Sequence, residues 1–395
     1  MRIRIGLALT LIAVALPASA RAAAVIVVTP GTSIQAAVDA AHRGDTVKVL
    51  PGTYKEDGRN CPSEAGKCAV VVRKDGIKLV AAAEKGHPVV LARKGDQHQG
   101  IAVGRTGNFN CLKDETKRVQ GSLVKGFTVK NFTGDGIMLF CVDDWRVTEV
   151  RTVGNEEYGV FPLYVGKGRL DHSFASDAND TGFYVGQSHK VRIDHNTAKA
   201  NVSGFELENS WRVRADHNVG TGNTAGLLSF ALPGLHVKIN RDNRIDHNDF
   251  HANNKPNTCI DPDDTVCNVP KGTGLALAGA DHNTVELNTV KHNNTSGIAV
   301  VDPCSLKPSL CAGVKFDSHP DRNRVVVNTA LQNGNKPAKG YEPIASDLTW
   351  DTTGTGNCWS GNTYTKSFPS TLPACAAPSS YVGRGAPERR STETE

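Results

Sequence analysis

Short apolar runs and polar corners alternate through the middle of the chain. Apolar residues take every second position in runs such as VRID (191–194) and GFEL (204–207), and Asn, Asp and Gly interrupt the runs. This alternation predicts β-strands. No stretch of the middle keeps a helical period long enough to supply crossover helices. The pattern therefore predicts short strands that are joined by polar corners.

A glycine followed by an apolar residue recurs at a nearly constant interval. From DGI at 135–137 to SGI at 296–298, the successive glycines are 23, 23, 22, 22, 48 and 23 residues apart. The step of 48 contains one more repeat, which the second RIDHN at 244–248 marks. A repeat of this length without helices predicts an all-β fold, a single-stranded right-handed parallel β-helix or solenoid. Each turn, or rung, buries its apolar residues against the rungs above and below.

One string, RIDHN, occurs in four versions, at 169–173, 192–196, 214–218 and 244–248. The Arg and the Asp are two positions apart, so they share the outward face of a strand while the residue between them points inward. Rungs stack ~4.8 Å apart, which predicts neighbouring columns of Arg and Asp. As exposed ion pairs, each would contribute ~0–1 kcal/mol.

The final position of the string predicts a stack of asparagines with a column of histidines beside it. The Asn positions continue beyond the four versions of the string, as Asn196, Asn218, Asn248, Asn288 and Asn328. Stacked asparagines hydrogen-bond along the axis of a stacked β architecture. Four copies favour a structural role, because a reaction centre is needed once. The alternative is a cationic strip in which Arg192 and Arg214 bind a substrate.

The strand after each repeated glycine carries a different outward face. Its outward residues are Met138 and Phe140, Phe161 and Leu163, Tyr184 and Gly186, Glu206 and Glu208, Leu228 and Phe230, and Ala276 and Ala278. Exposed aromatic rings beside carboxylates are typical of a sugar-binding groove. We therefore interpret Tyr184, Phe161 and Phe230 as substrate-binding residues. Insertions at about 232–241, 255–271 and 302–321 are predicted to wall this face.

Glu206 and Glu208 are the candidate catalytic residues. They lie two positions apart on one predicted strand, with Cα atoms ~6.5 Å apart. Two carboxylates at that spacing could share acid–base work on a glycoside or hold Ca²⁺ against a sugar acid. An acidic patch paired with nearby Arg or Lys is the structural alternative. The sequence assigns no other cofactor and leaves the metal ligands unknown.

The start of the chain and its cysteines predict export. Arg2 and Arg4 precede an apolar run and then small residues, which predicts a signal peptide over 1–24. Ten cysteines, mostly in close pairs, predict disulfides in a secreted or periplasmic protein. The net charge of +5 indicates neither a nucleic-acid nor a strongly charged partner. We expect a monomer without a membrane span.

The segment SIQAAVDAAHRGDTVKVLPGTYKE (33–56) resembles the cap and first rung of the pectin-lyase-like superfamily, and 123–333 resembles its short repeats. The resemblance implies an exported right-handed parallel β-helix with a short capping helix over Gln35 to Ala41. The β-helix would span 25–375, ending in a disulfide-closed coil, and 376–395 would be a disordered tail. No catalytic signature of the superfamily transfers. The paired-Asp and Gly-His-Gly pattern of polygalacturonases is missing, and the nearest strings to the alginate epimerase pattern, DPDD at 261–264 and DSHPD at 317–321, depart from it in order and spacing.

Three functions are compatible with these observations. The first is a lyase or epimerase of a uronate-containing polysaccharide, an acidic partner, in which a base removes the proton beside the carboxylate and Arg or Ca²⁺ stabilises the developing charge. The second is a glycan-binding β-helix without catalysis. The third is a cell-envelope accessory protein similar to the β-helix proteins that assist nitrous oxide reductase maturation. The fold alone does not choose between them.

Overall fold

A computed structural model describes residues 21–62, 66–105, 109–262 and 264–376. Nearly all of the predicted signal peptide and of the predicted tail lies outside these residues. The described strands form three sheets, A, B and C, which follow one another around each turn of the chain. Apart from Arg59–Asn60, which pairs antiparallel with Lys67–Val72, each described strand pairs in parallel with the equivalent strand of the next turn, as Arg169, Arg192 and Arg214 do in sheet A. The structure confirms the predicted right-handed parallel β-helix.

The strands of sheet A are Val25–Val28, Thr46–Val49, Lys78–Ala81, Val119–Gln120, Leu123–Lys125, Val142–Asp143, Arg146–Thr148, Gly166–Asp171, His189–Asp194, Arg214–Asp216, Arg244–Asp246, Thr284–Glu286, Arg324–Val326 and Cys358–Ser360. Those of sheet B are Gly52–Tyr54, Val89–Ala92, Phe127–Lys130, Arg151–Val153, Phe174–Ser176, Thr197–Lys199, Val219–Thr221, Asp249–His251, Thr289–Lys291 and Thr329–Leu331. Those of sheet C are Arg59–Asn60, Lys67–Val72, Gln97–Val103, Ile137–Phe140, Val160–Leu163, Thr181–Gly186, Ser203–Glu208, Ala225–Phe230, Thr273–Ala278, Ser296–Val301, Ser346–Trp350 and Ser367–Phe368.

The helices are short. Two are α-helices, α1 (Ile34–Ala40) and α2 (Pro303–Leu306). The 3₁₀ turns are Phe109–Leu112, Glu115–Lys117, Thr265–Asn268, Pro308–Leu310 and Glu342–Ile344. No helix of the described residues is long and apolar enough to cross a membrane.

Helix α1 closes the N-terminal end of the barrel, as the sequence predicts. The hydroxyl of Ser33 accepts a hydrogen bond from the Ala36 amide at 3.0 Å, which begins the helix. The carboxylate of Glu56 accepts from the Ser33 hydroxyl at 2.6 Å and from the Ile34 amide at 2.7 Å. Ile34 and Val38 are buried against the first rung. The first rung thereby gains the apolar cover that a terminal repeat requires.

The barrel is filled by columns of apolar side chains that keep the same register from rung to rung. In sheet A one inward column comprises Val47, Leu79, Val124, Val147, Leu170, Ile193, Ala215, Ile245, Val285 and Val325, all of them buried. Towards the middle, Phe205 stacks on Phe183 with ring centroids 5.4 Å apart and contacts Phe250 at 6.0 Å. Each rung therefore buries its core only through its neighbours.

Asparagine ladders run along the barrel, and the predicted one is confirmed. Asn218 donates from Nδ2 to Oδ1 of Asn248 at 3.0 Å and to the Ile193 carbonyl at 2.9 Å. Its own Oδ1 accepts from the backbone and side chain of Asn196, both at 3.1 Å. Two further ladders comprise Asn201, Asn223, Asn253, Asn293 and Asn333, and Asn243, Asn283, Asn323 and Asn357. Buried corner amides are thus paired along the axis.

The Arg and Asp columns of RIDHN have the predicted register, but the prediction that the pairs are exposed is wrong. The Asp194 and Asp216 side chains are 0% exposed. Arg192 donates to both oxygens of Asp216, at 2.9 and 2.7 Å, because its guanidinium lies over the carboxylate of the next rung. His195 covers Asp194 from the side with Nδ1 2.9 Å from the carboxylate, and its ring stacks on His217 at 4.9 Å. RIDHN is therefore a structural joint between rungs.

The buried carboxylates of these joints stay ionised. Burial raises the pKa of Asp171, but hydrogen bonds from Arg146 and His172 outweigh it and lower that pKa to about 2. Bidentate Arg–carboxylate pairs are the strong form of this interaction. The string is thus accounted for by contacts within the fold.

All ten cysteines form disulfides, with the close pairs joined as predicted. The bonds are Cys61–Cys68, Cys111–Cys141, Cys259–Cys267, Cys304–Cys311 and Cys358–Cys375. The last one closes the C-terminal coil. Five disulfides fit a location outside the cytoplasm.

We expect Asn248→Ala to destabilise the protein. The change removes the middle of one ladder and leaves the buried backbone amide of Asn218 without its acceptor, the Oδ1 of Asn248, which costs about 1–3 kcal/mol. Urea unfolding followed by circular dichroism measures the loss. Asn335→Ala is the control, because Asn335 is exposed and bonds only to a nearby carbonyl, of Gln332. Equal urea midpoints for the two variants would contradict the claim that the ladder stabilises the fold.

Candidate functional site

A cavity of about 660 Å³ lies on the outer face of sheet C. Its floor is built by the strands Ser203–Glu208, Ala225–Phe230, Thr273–Ala278 and Ser296–Val301. All three predicted insertions contribute wall residues, among them Leu235, Val266 and Leu310. Two of the inserted loops are closed by disulfides, Cys259–Cys267 and Cys304–Cys311. A further wall segment around 341–344 was not predicted.

The parallel register arranges the floor in two rows. One row is Glu206, Leu228, Ala276, Ala299 and Thr349, and the other is Glu208, Phe230, Ala278 and Val301. With one residue per rung, the longer row spans about 19 Å. The carboxylates occupy one end of both rows, and apolar side chains follow them, with Thr349 at the far end of the longer row. The cavity is therefore polar at one end and apolar along most of its length.

Tyr184 and Glu208 form a hydrogen-bonded pair at the polar end. The Tyr184 hydroxyl donates to Oε2 of Glu208. Tyr184 belongs to the row of Glu206, so its ring must cross to the row of Glu208, and it does so over Gly186. A Cβ at Gly186 would overlap the Tyr184 ring and hydroxyl. The missing side chain at 186 thus permits the Tyr184–Glu208 contact.

The aromatic residues of this face are covered, contrary to the prediction that they are exposed. Phe161 and Tyr184 are 9% and 4% exposed, and Met138 and Phe140 are also buried. They form a second apolar cluster outside the barrel, which the segments carrying Cys61, Cys68 and Cys111 complete. Phe161 stacks on Tyr184 with centroids 4.7 Å apart and therefore supports the Tyr184 ring from beneath the site. Phe230, by contrast, is partly exposed and lines the cavity.

The pKa values of three carboxyl groups at the polar end are raised above their ordinary values. Burial, with the nearby charge of Asp264, raises the pKa of Glu208 to about 7 against the hydrogen bond from Tyr184. Burial raises the pKa of Asp180 to about 7 as well. For Glu206, burial and then the charge of Asp180 raise the pKa well above its ordinary value. Burial likewise raises the pKa of Tyr184, so this hydroxyl keeps its proton.

The arrangement combines groups of different protonation within one site. Burial favours the protonated forms of Glu206 and Tyr184, while Glu208, with a pKa of about 7, exchanges a proton near neutral pH. Titratable groups whose pKa values are driven apart by their surroundings are characteristic of acid–base sites. The candidate catalytic residues Glu206 and Glu208 therefore lie where such chemistry is feasible.

Arg192 and Arg214, the other predicted substrate-binding residues, lie elsewhere. Both belong to sheet A, and their guanidinium groups bind Asp216 and Asp246 of the next rung. Neither residue lines the cavity. The structure brings together Glu206, Glu208, Tyr184 and Phe230, and leaves these arginines in the joints between rungs.

Tyr158, Asp180 and Lys307 line the cavity but were not identified from the sequence. Asp180 precedes a sheet C strand at a position where the following rungs hold Val202, Thr224 and Gly272, so the repeat gives no signal for it. Lys307 lies in an insertion, where the repeat gives no register. Insertions are the part of a solenoid that the pattern constrains least.

The described residues provide no set of ligands for the Ca²⁺ that the sequence analysis considered. Within them, no group of three or more His, Cys, Asp or Glu side chains is arranged to hold a metal ion. Glu208 is turned towards Tyr184 instead of sharing a point with Glu206. We therefore assign no chemical step to calcium.

We expect Glu208→Gln to change how stability depends on pH. The ordinary pKa of 4.5 applies to the unfolded chain and about 7 to the folded one. Between these values the folded state keeps a proton that the unfolded state has released, so the free energy of unfolding falls as pH rises and is level above 7. The contribution of Glu208 to this loss is up to about 3 kcal/mol. Glu208→Gln should lack that contribution and keep those of Asp180 and Glu206, so its stability should fall less steeply than that of the wild type.

Urea unfolding at pH 4.5, 6 and 8 measures this difference. Glu149→Gln is the matched control, because the Glu149 side chain is 54% exposed and pairs only with Lys125 at the surface. Identical pH dependence in the wild type and in Glu208→Gln would show that Glu208 titrates normally.

Comparisons with known proteins agree with the architecture. Solved structures similar to this chain include the A-module of the Azotobacter vinelandii mannuronan C-5 epimerase AlgE6, with TM-score 0.62 and 18% identity over 83% of this chain and 84% of that one. The periplasmic alginate epimerase AlgG gives TM-score 0.57 and 12% identity over 82% and 69%. An alginate lyase of Paenibacillus sp. str. FPU-7 gives 0.53 and 13% over 87% and 99%. At these identities the likeness shows the fold alone.

The search of curated proteins found no match. A family model, by contrast, matches residues 118–366, which is more than half of the chain. That segment contains every version of RIDHN, the ladders and the floor of the cavity. The chain therefore belongs to the family described as NosD, periplasmic copper-binding protein.

Proposed function

We propose that this protein is a carbohydrate-active enzyme that acts outside the cytoplasm on a uronate-containing polysaccharide, by elimination or epimerisation. The observation that carries the proposal is the Tyr184–Glu208 pair, with the pKa of Glu208 near 7, at the polar end of a walled cavity. Three of the similar structures are a mannuronan C-5 epimerase, an alginate epimerase and an alginate lyase, and their names point to the same substrate class. We also propose that residues 1–24 direct export, that the protein acts in the periplasm and that it is a monomer.

Glu208 is assigned as the base. A general base works best when its pKa lies near the working pH, because it is then both available and strong. Glu208 meets this condition since its pKa is about 7, and it is partly accessible from the cavity. It would remove the proton on the sugar carbon beside the carboxyl group.

Tyr184 is assigned as the acid that serves the leaving oxygen. In an elimination the bond from the neighbouring carbon to the glycosidic oxygen breaks, and that oxygen takes the Tyr184 proton. The proton gained by Glu208 then returns to Tyr184 through their hydrogen bond, so both groups are restored. The electron pair of the broken C–H bond forms the new carbon–carbon double bond. An epimerisation would instead leave the glycosidic bond intact and would require a proton donor on the opposite face of the same carbon, in addition to the Tyr184–Glu208 pair.

Glu206 is assigned to stabilise the intermediate. Negative charge develops on the carboxyl oxygens when the neighbouring proton is removed. A carboxylic acid that stays neutral in an apolar site can donate a hydrogen bond to such an oxygen. Glu206 is 4% exposed and is held protonated by burial and by the charge of Asp180. It would take the role that the sequence analysis gave to Arg or Ca²⁺.

We expect Glu208→Gln to abolish turnover, since Gln cannot accept the proton. The measurement is ultraviolet absorbance of unsaturated product from a panel of polyuronates, with proton exchange at the same carbon measured in parallel for epimerisation. For the wild type, kcat/KM should rise about tenfold per pH unit below 7 and level off above it. The rise follows because the ionised form of Glu208 is the active one.

Glu149→Gln should keep full activity in the same assay, because Glu149 lies at the surface of sheet A. Turnover by Glu208→Gln would refute the assignment of the base. Polysaccharide binding that needs Phe230 but gives neither product nor exchange would show a glycan-binding protein without catalysis.

Family membership favours a second candidate, a copper-binding accessory protein of the cell envelope. The described residues do not fit a copper centre. All ten cysteines are in disulfides, and Met138 is buried. The stacked rings of His195 and His217 are nearly parallel and each Nδ1 faces an aspartate, so these histidines do not converge on a point. Copper binding that is lost in a His195→Ala and His217→Ala double variant would support this candidate over the enzyme.

A further inference from the structure

We infer that the uronosyl residue bound in this cavity carries its carboxyl group as an ester of an apolar alcohol, so that an uncharged sugar is the substrate. The inference rests on the proposed function and specifies its substrate class. Two independent features of the cavity support it, the sign of its charges and the position of its apolar surface.

The charges of the lining do not suit a free carboxylate. The acidic lining residues are Asp180, Glu206, Glu208 and Asp264, whereas Lys307 is the one cation among the lining residues that the structure describes. A free uronate would place a further negative charge beside groups that already resist ionisation. Both desolvation and like charge would oppose its binding. An ester removes that charge and keeps a carbonyl oxygen that can accept from the protonated Glu206.

The apolar surface begins next to that acid. Leu228 is the Cα partner of Glu206 on the next rung, and Ala276 and Ala299 follow it. An ester carbonyl that accepts from Glu206 would therefore direct its alkyl group along this row, ~4.8 Å per rung. Apolar wall residues flank the row, among them Leu235, Val266, Leu310 and Ile344. The small residues Ala276 and Ala299 leave depth for a chain of several carbons.

The elimination needs nothing beyond the residues already assigned. Glu208 takes the proton, the double bond forms, the glycosidic oxygen leaves with the Tyr184 proton, and the ester is unchanged. The ester also makes the proton easier to remove, since its carbonyl bears no charge that opposes the developing one. A site without a cluster of cations is thus suited to this form of the substrate.

The test compares free, methyl-esterified and butyl-esterified forms of one polyuronate at pH 7. Initial rates of unsaturated product are corrected for the reaction without protein. We expect kcat/KM to rise from the free acid to the methyl ester and again to the butyl ester, by about 2- to 4-fold per added methylene. Equal or faster turnover of the free acid would overturn the inference and leave the proposed function in place.

Wall variants test where the alkyl group lies. Val266→Asp introduces a charge into the wall, and Leu228→Ala shortens the floor beside Glu206 with little risk to folding. Both should lower the preference for the butyl ester over the methyl ester. Val314→Asp is the matched control, because Val314 is 47% exposed and does not line the cavity. An unchanged preference in both wall variants would refute the placement.

A binding measurement separates the inference from the proposed chemistry. Calorimetry with Glu208→Gln and short oligomers should give tighter binding of the butyl ester than of the free acid. If this holds while the wild type forms no product from any polymer, the substrate class stands and the elimination is refuted. Equal binding of the two oligomers would overturn the inference whatever the activity.

Discussion

The strict register between successive rungs is the constraint on which the rest of the structure depends. A rung cannot bury its apolar residues alone, because its inward side chains are covered by those of the rungs above and below. The inward column of sheet A holds only while Ile193 stays opposite Leu170 and Ala215. The asparagine ladders enforce this alignment at the corners, since an amide such as Asn218 bonds to its equivalents in both neighbouring rungs. A shift of one residue would break every such bond and turn the core outward.

The same register explains why RIDHN is repeated and why it is not the functional site. In sheet A the string supplies identical contacts at successive joints, with Arg192 on Asp216 and His195 on Asp194. Sheet C needs no such repetition on its outer face, so its outward positions are free to differ between rungs. Tyr184, Glu206 and Leu228 occupy equivalent positions and have unrelated chemistry. The functional candidates are found where the repeat is broken, by unlike residues in one row and by insertions that wall it.

The sequence predicted the features that follow from periodicity. It did not predict which side chains are buried by segments remote in sequence. Strand order, the Asn ladder, the capping helix and the walls of the cavity could be predicted, because each follows from spacing along the chain. Spacing also gave the outward direction of Asp194 and Phe161. It could not show that Arg169 would lie over Asp194, or that a loop carrying Cys111 would help to bury the cluster of Phe161. Alternation fixes the side of a strand on which a residue lies, whereas exposure depends on what else packs there.

The partners of the acidic groups distinguish the cavity from the joints, since both sites contain buried carboxylates. In the joints each Asp is paired with Arg and His, so the pKa of Asp171 falls to about 2 and the charge is retained. In the cavity Glu206 and Glu208 lack such partners, so burial raises both pKa values instead. Burying acids that have no cationic partner opposes folding. The stability of a stacked barrel can sustain that cost. Because the packing of the fold does not require these buried acids, we assign them to function and place the chemistry in sheet C.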